Sequence, residues 1–260
     1  MTALRALAFN VIFIAWTAVL AILCLALVPL PWRVLSAVVA WWARTVLWML
    51  RAIVGLDYVV RGREHVPQGP ALLAFKHQSA WDTVAVNVLL RHPSVVLKRE
   101  LFYLPVWGWL AWRCGMIFVD RAAGAAALKS MVAQAKRRLA ERRPIVIFPQ
   151  GTRTAPGEKR AYFPGVVALY DRLKLPVVPV ALNSGVFWGR RAFTKRPGTI
   201  VVEFLPAIPP ELKRAQFMRE LEQRIEQASD RLAAEAGVAG QDPAQIQAPR
   251  PVDKPVDGQA

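Results

Sequence analysis

The chain opens on a long apolar stretch with no amphipathic period. Residues 6–30 hold no charged side chain, and Asn10 and Thr17 are the main polar interruptions. A helix of that length, rising ~1.5 Å per residue, covers the ~30 Å hydrocarbon core of a bilayer. Pro29-Leu30-Pro31 breaks the run, and a second apolar stretch follows over residues 34–50. It contains Arg44, Trp41, Trp42 and Trp48, with Arg33 and Arg51 at its ends, a distribution suited to the headgroup layer of a membrane. The pattern predicts a pair of membrane-anchoring helices over residues 1–56. Either the first helix spans and the second lies flat, or the two form a hairpin dipped into one leaflet; two core helices of a soluble protein are the remaining alternative. The length of the first run, and the lack of a small-x-small cleavage site before Pro29, argue against a removable signal sequence. Five arginines (33, 44, 51, 61 and 63) follow the first run and one, Arg5, precedes it, which puts the rest of the chain on the cytoplasmic side.

From residue 56 the pattern changes to short β-rich runs alternating with helical ones. Strands are predicted at 58–61, 71–75, 95–98, 116–119, 145–148, 177–181 and 200–204, and helices at 82–90, 122–140 and 165–173. The alternation predicts an α/β domain over 57–236: a mixed central β-sheet flanked by helices, with ligands at the carboxyl ends of its strands. Pro179 inside the 177–181 run reads as an edge strand or a bulge. Residues 211–235 read as an amphipathic helix, and the Gly-, Pro- and Gln-rich stretch 237–260 as a disordered tail.

Composition narrows the partners. With 34 Lys and Arg against 18 Asp and Glu, the formal net charge is +16, which favours phosphate- or carboxylate-bearing partners. No nucleic-acid-binding module is recognisable and the basic residues are spread out, so nucleic acid is not the expected partner. A membrane-tethered protein that merely binds anionic lipid or nucleic acid is the non-catalytic alternative. Two cysteines and three histidines, at no ligand-like spacing, suggest free thiols and no structural zinc.

Four polar clusters could carry chemistry. After the second strand comes Lys76-His77-Gln78-Ser79-Ala80-Trp81-Asp82. If the turn folds back, the Asp82 carboxylate fixes the tautomer of His77 and makes it a general base. The plainer reading is a loop histidine, with Ser79 or Asp82 capping the next helix. No Gly-x-Ser-x-Gly elbow occurs, so His77 as a base would activate a substrate hydroxyl. A second cluster offers Lys98, Arg99, Arg113 and the pair Asp120-Arg121, among tryptophans 107, 109 and 112 that read equally as core or as a membrane-facing rim. Arg121 suits bidentate phosphate binding or, more plainly, a surface ion pair with Asp120 or Glu100. The third, Phe148-Pro149-Gln150-Gly151-Thr152-Arg153, follows a buried strand: Gly151 permits close backbone approach, and Thr152 and Arg153 supply donors. The fourth is the strand with Pro179, ending in Asn183-Ser184-Gly185.

In this order and spacing the four blocks resemble the glycerolipid acyltransferase family, most closely its bacterial 1-acyl-glycerol-3-phosphate (lysophosphatidate) acyltransferases. The likeness covers residues 57–205, and the apolar helix pair resembles the family's membrane anchor. The family's His-x4-Asp block is similar to His77–Asp82, its Asp-Arg block to Asp120-Arg121, and its Phe-Pro-Glu-Gly-Thr-Arg block to residues 148–153. The resemblance implies a membrane-bound O-acyltransferase, at the cytoplasmic face of a bacterial inner membrane, that makes phosphatidic acid. His77 and Asp82 would be catalytic, and Lys98, Arg121, Gln150, Gly151, Thr152 and Arg153 would bind substrate. It implies a lysophospholipid acceptor, acyl-CoA or acyl-carrier protein as co-substrate, and no metal or other cofactor. Two departures, Gln150 for the usual Glu and Phe163 before Pro164-Gly165, leave another lysolipid, such as a lyso-ornithine lipid, open as acceptor.

Overall fold

The computed structural model describes residues 2–66 and 68–238. The expected tail lies outside the described residues from 239 onward, and Gly237 and Val238 still belong to the last helix. All seven predicted strands form: β1 (Leu56–Arg61), β2 (Leu72–Phe75), β3 (Ser94–Lys98), β4 (Ile117–Val119), β5 (Ile145–Ile147), β6 (Val177–Leu182) and β7 (Gly198–Phe204). They make one sheet in the order β1-β7-β6-β2-β5-β3-β4. The five strands β6, β2, β5, β3 and β4 run parallel, β7 is antiparallel to β6, and β1 is parallel to β7.

Strands β2, β5 and β6 are buried on both faces, as a sheet sandwiched between helices requires. On one face Leu73, Phe75, Val146 and Val180 pack against Trp81 and Ala85 of α3 (Ala80–Leu89) and Val46 of α2 (Trp32–Met49). On the other, Leu72, Ala74, Ile145 and Ile147 meet α5 (Gly124–Ala140), α6 (Gly165–Leu173) and α8 (Arg214–Val238) through Met131, Leu169, Phe217, Leu221 and Ile225. Alternate residues of each strand therefore serve opposite layers.

The reading of the Pro179 run as an edge strand is corrected. β6 lies inside the sheet, between β7 and β2. Its pairing with β7 starts only at Val180↔Phe204, and beyond it the Leu205 N–H donates to the Pro179 carbonyl at 2.9 Å. The proline's missing donor thus falls where β7 has already left the ladder, so an interior strand tolerates it. Residues 122 and 123, expected to open α5, belong instead to a separate 3-10 turn, Arg121–Ala123, because Gly124 (φ 51°, ψ −122°) breaks the helical path.

The N-terminal runs form α1 (Thr2–Leu25) and α2, the latter continued by a π-helical turn, Leu50–Val54; both are long and apolar enough to cross a membrane. Asn10, Trp16 and Thr17 of α1 are hydrogen-bonded. Trp42 Nε1 donates to Thr17, Trp16 Nε1 donates to Thr45, and the buried Lys195 donates to Asn10. Both ends of α1 touch the α/β body. Near its start Phe9 packs edge-on to Trp188 at 5.8 Å, and near its end Cys24 packs with Cys114 and Leu110. Arg113 of α4 (Trp107–Arg113) donates to the Val28 and Leu30 carbonyls just beyond. The tryptophans of α4 are not core: Trp107, Trp109 and Trp112 are 41, 55 and 60% exposed.

Candidate active site

The parallel strands end on one edge of the sheet, and the polar clusters follow their carboxyl ends. From β2 the chain leaves over the α3 face toward β3; from β5 it leaves over the opposite face through α6 toward β6. Between these neighbours the connections diverge, which opens a crevice at their carboxyl ends. His77 follows β2 and Gly151 follows β5, so both line it.

Beyond Phe75 the chain turns into α3 at Ser79, whose side chain accepts from the Trp81 N–H at 3.1 Å. Asp82 Oδ2 answers by accepting from the N–H groups of Ser79 (2.8 Å) and Gln78 (2.7 Å), a reciprocal cap that contributes about 1 kcal/mol. The same Oδ2 lies 2.9 Å from His77 Nδ1, and Asp82 Oδ1 accepts from Ser184 Oγ at 2.5 Å. Asp82 therefore caps the helix and holds His77 with the same carboxylate oxygen. Because a carboxylate oxygen only accepts here, Nδ1 carries the imidazole proton and Nε2 is left as an acceptor. The ring stacks on Phe148 with centroids 4.1 Å apart. Ser184, at the end of β6, was not foreseen as part of this site; its one signal was the Asn-Ser-Gly that ends the Pro179 strand.

Asp120 neither pairs with Arg121 nor faces it: it binds Arg99 at 2.6 Å and caps the 3-10 turn through the Ala122 N–H. Arg121 instead donates to the Gly151 carbonyl at 2.9 Å and lies over the Phe163 ring at 5.1 Å. Glycine suits position 151, since its φ is 65° and a Cβ would stand 2.7 Å from Arg121 Nη1. Arg153 has no hydrogen bond or ion pair among the described residues. Burial lowers its guanidinium pKa and Arg190 acts in the same direction, against the opposing pull of Asp82. Arg153 is thus a partly desolvated cation with no direct ion pair among the described residues.

These groups border a cavity of about 540 Å³. Its polar lining includes His77, Lys98, Arg121, Gly151, Thr152 and Arg153, with the unforeseen Arg190 and Arg191 from the loop before β7. Its apolar lining comes from Val96, Val119 and Ile147 of the sheet and Ala127, Leu128 and Met131 of α5. The structure brings together every expected site residue but one, with Asp82 directly behind His77. The exception is Gln150, which is fully buried and does not line the cavity. Its amide Nε2 donates to Glu226 Oε1 at 3.3 Å and its Oε1 accepts from Thr154 at 3.3 Å, so interior polar partners draw it behind the cavity wall. Tyr162 also donates to Glu226, at 2.8 Å, and burial followed by the Glu226 charge pushes its hydroxyl pKa up, which keeps it a donor.

A cavity with a positioned imidazole, unpaired arginines and an apolar floor can be weighed against known proteins. The sequence model of the acyltransferase family matches residues 57–183. A 1-acyl-sn-glycerol-3-phosphate acyltransferase of Pseudomonas aeruginosa is 37% identical over 185 residues, which are 71% of this chain and 72% of that protein. The chain belongs to the acyltransferase family. The human 1-acyl-sn-glycerol-3-phosphate acyltransferase alpha is similar at 29% identity, over 65% of this acyltransferase and 60% of the human protein. The fold of the acyltransferase is that of the crystal structure of the 1-acyl-sn-glycerophosphate (LPA) acyltransferase from Thermotoga maritima, with TM-score 0.75 and 18% identity over 90% of this chain and 98% of that one.

Proposed function

We propose that this acyltransferase moves a fatty acyl group from an acyl thioester to the free hydroxyl of 1-acyl-glycerol-3-phosphate, giving phosphatidic acid at a membrane surface. The observation that carries the reading is His77, held by Asp82, in the same cavity as the unpaired Arg153. His77 Nε2 takes the proton of the acceptor hydroxyl as that oxygen attacks the thioester carbonyl. The carbon–sulfur bond then breaks, and the thiolate recovers a proton from the imidazolium. No acyl-enzyme is needed, and both cysteines are buried outside the cavity. Arg153 and Arg121 bind the acceptor phosphate with help from Lys98, while Gly151 and Thr152 shape the wall. Arg190 and Arg191 face the phosphates of acyl-CoA or the phosphopantetheine of acyl-carrier protein. Positioning two substrates together supplies much of the rate in such a reaction.

The departure at Gln150, which left a phosphate-free acceptor open, lies behind the wall, whereas Arg121 and Arg153 both border the cavity. That favours the phosphate-bearing acceptor. The helix pair supports a hairpin set into one leaflet on the cytoplasmic face, because α1 meets the catalytic body at both ends and exposes Leu4, Val11, Ile14, Val19, Ile22 and Leu23. The test is His77→Ala in purified, detergent-solubilised protein, with lysophosphatidate and acyl-CoA as substrates and thiol release as readout. Turnover should fall at least ~100-fold, the scale of general-base catalysis, with vesicle association intact. Wild-type turnover in that variant overturns the mechanism.

A further inference from the structure

Behind the cavity wall lies a second polar cluster, none of whose side chains lines the cavity. Lys76 is 1% exposed, and its Nζ meets Glu226 Oε2 at 2.5 Å. The other oxygen of Glu226 accepts from Tyr162 at 2.8 Å and from Gln150 at 3.3 Å. Thr154 donates its N–H to the His77 carbonyl at 2.9 Å, and its one hydroxyl proton is shared between that carbonyl (3.2 Å) and Gln150 Oε1 (3.3 Å). Glu226 is the one carboxylate within hydrogen-bonding reach of this cluster among the described residues, and it sits on α8, far along the chain.

We infer that Glu226 is a positioning residue for the catalytic histidine, and that Gln150 is neutral because Glu226 already supplies the buried negative charge. Lys76 precedes His77 directly, and Gln150 precedes the Gly151–Arg153 stretch directly. One carboxylate therefore fixes the registry of the two loops that carry the base and the anion site. A buried lysine keeps its charge at low cost only beside a partner, and a second carboxylate 3.3 Å from the first would strain the cluster by like-charge repulsion. Reversing the two side chains keeps the bonds to Lys76 and Thr154 and the bond between positions 150 and 226, with Tyr162 turning from donor to acceptor against the amide at 226. A glutamine at 226 accepts from Lys76 through its oxygen and donates through its amide to a glutamate at 150, whose other oxygen still accepts from Thr154. The side chains at 150 and 226 thus form a pair that can be exchanged together but not singly.

The inference rests on the acyl-transfer reading, and the experiment separates the two. The full chain is purified as wild type, Glu226→Gln, Gln150→Glu and the exchanged double variant, and thiol release from acyl-CoA with lysophosphatidate is followed beside thermal unfolding. Glu226→Gln and Gln150→Glu should each lose about tenfold or more in kcat, with KM for either substrate changed less than about threefold. The double variant should return to within about threefold of wild type in kcat. A wild-type kcat in Glu226→Gln overturns the inference, and so does a double variant no better than the worse single one. A double variant that regains its unfolding temperature without its kcat reduces the cluster to a structural role and equally overturns it. If Glu226→Gln does not fold, Lys76→Met/Glu226→Gln, which removes both charges, takes its place: normal kcat there is fatal, and loss of kcat with normal KM supports the assignment. Failure of the acyl-transfer reading looks different, since wild type would then show no turnover or His77→Ala would retain it.

Discussion

Gly151→Ala tests whether Arg121 works through the glycine it rests on. An alanine Cβ at 151 would stand 2.7 and 2.9 Å from the two terminal nitrogens of Arg121 and 2.9 Å from Phe163 Cδ2, all nearer than real Cβ contacts allow. The backbone φ of 65° adds about 1–2 kcal/mol for a residue with a side chain. Two of the three crowded atoms are the far end of a flexible side chain and the third is on the half-exposed Phe163 ring, so Arg121 swings away, the ring shifts and the backbone stays. The variant should fold, with its unfolding midpoint lowered by about 3–6 °C for a domain of this size. Displacing Arg121 removes one charge-assisted hydrogen bond to the acceptor phosphate, about 1.5–3 kcal/mol, which is roughly 10- to 150-fold in kcat/KM for lysophosphatidate. The His77–Asp82 bond is untouched, so the loss should appear in KM for the acceptor. Initial rates of thiol release over a range of lysophosphatidate, for Gly151→Ala, Arg121→Ala and the double variant, give the answer. Both single changes disable the same guanidinium, so the double variant should lose little more than Arg121→Ala alone. An unchanged acceptor KM in Gly151→Ala, or fully additive losses, would refute the link.

Three further outcomes follow from the geometry. Ser184→Ala removes the donor to Asp82 Oδ1 but leaves the cap and the His77 bond; kcat should fall about tenfold, the equivalent of ~1.4 kcal/mol, with KM steady, and an unchanged kcat would show that Ser184 does not hold the carboxylate. Arg190→Ala/Arg191→Ala should raise KM for acyl-CoA roughly 3- to 20-fold at low salt, converging with wild type above ~0.5 M salt, and should spare the acceptor KM; a salt-independent effect would rule out the electrostatic role. Burial lowers the Lys195 amine to about 8, so the unfolded chain holds this proton through the interval between that value and the ordinary lysine value, and the folded chain does not. Stability should therefore rise with pH across that window, and the slope should disappear in Lys195→Met; identical unfolding-temperature profiles for the two proteins would remove Lys195 as the cause.

What local pattern determines was legible from residue order. Short β-rich apolar runs mark the seven strands, and charge-free length marks the helix pair. His77 and Asp82 flank a single strand-to-helix turn, so their meeting is a short-range event that spacing alone could suggest. Gln150 shows where that legibility stops. Beside Gly151 and Arg153 it reads as a substrate contact, yet a carboxylate 76 positions away, on α8, turns it inward. Ser184, Glu226, Arg190 and Arg191 were missed for the same cause: each reaches the site along a different connection, and no local period records which loops will be neighbours.

The sequence by itself determined the elements, the apolar helix pair and the turn that pairs histidine with aspartate, because each depends on contacts within a few residues. Only the tertiary structure decided that β5 lies beside β2, that α1 runs along the α/β body, and that the charge opposite Lys76 comes from the last helix. Those outcomes depend on long-range strand pairing and on the burial of whole faces. The same tripeptide Pro-Gln-Gly can face a substrate or the core, and which one it faces is fixed by what the rest of the chain packs behind it.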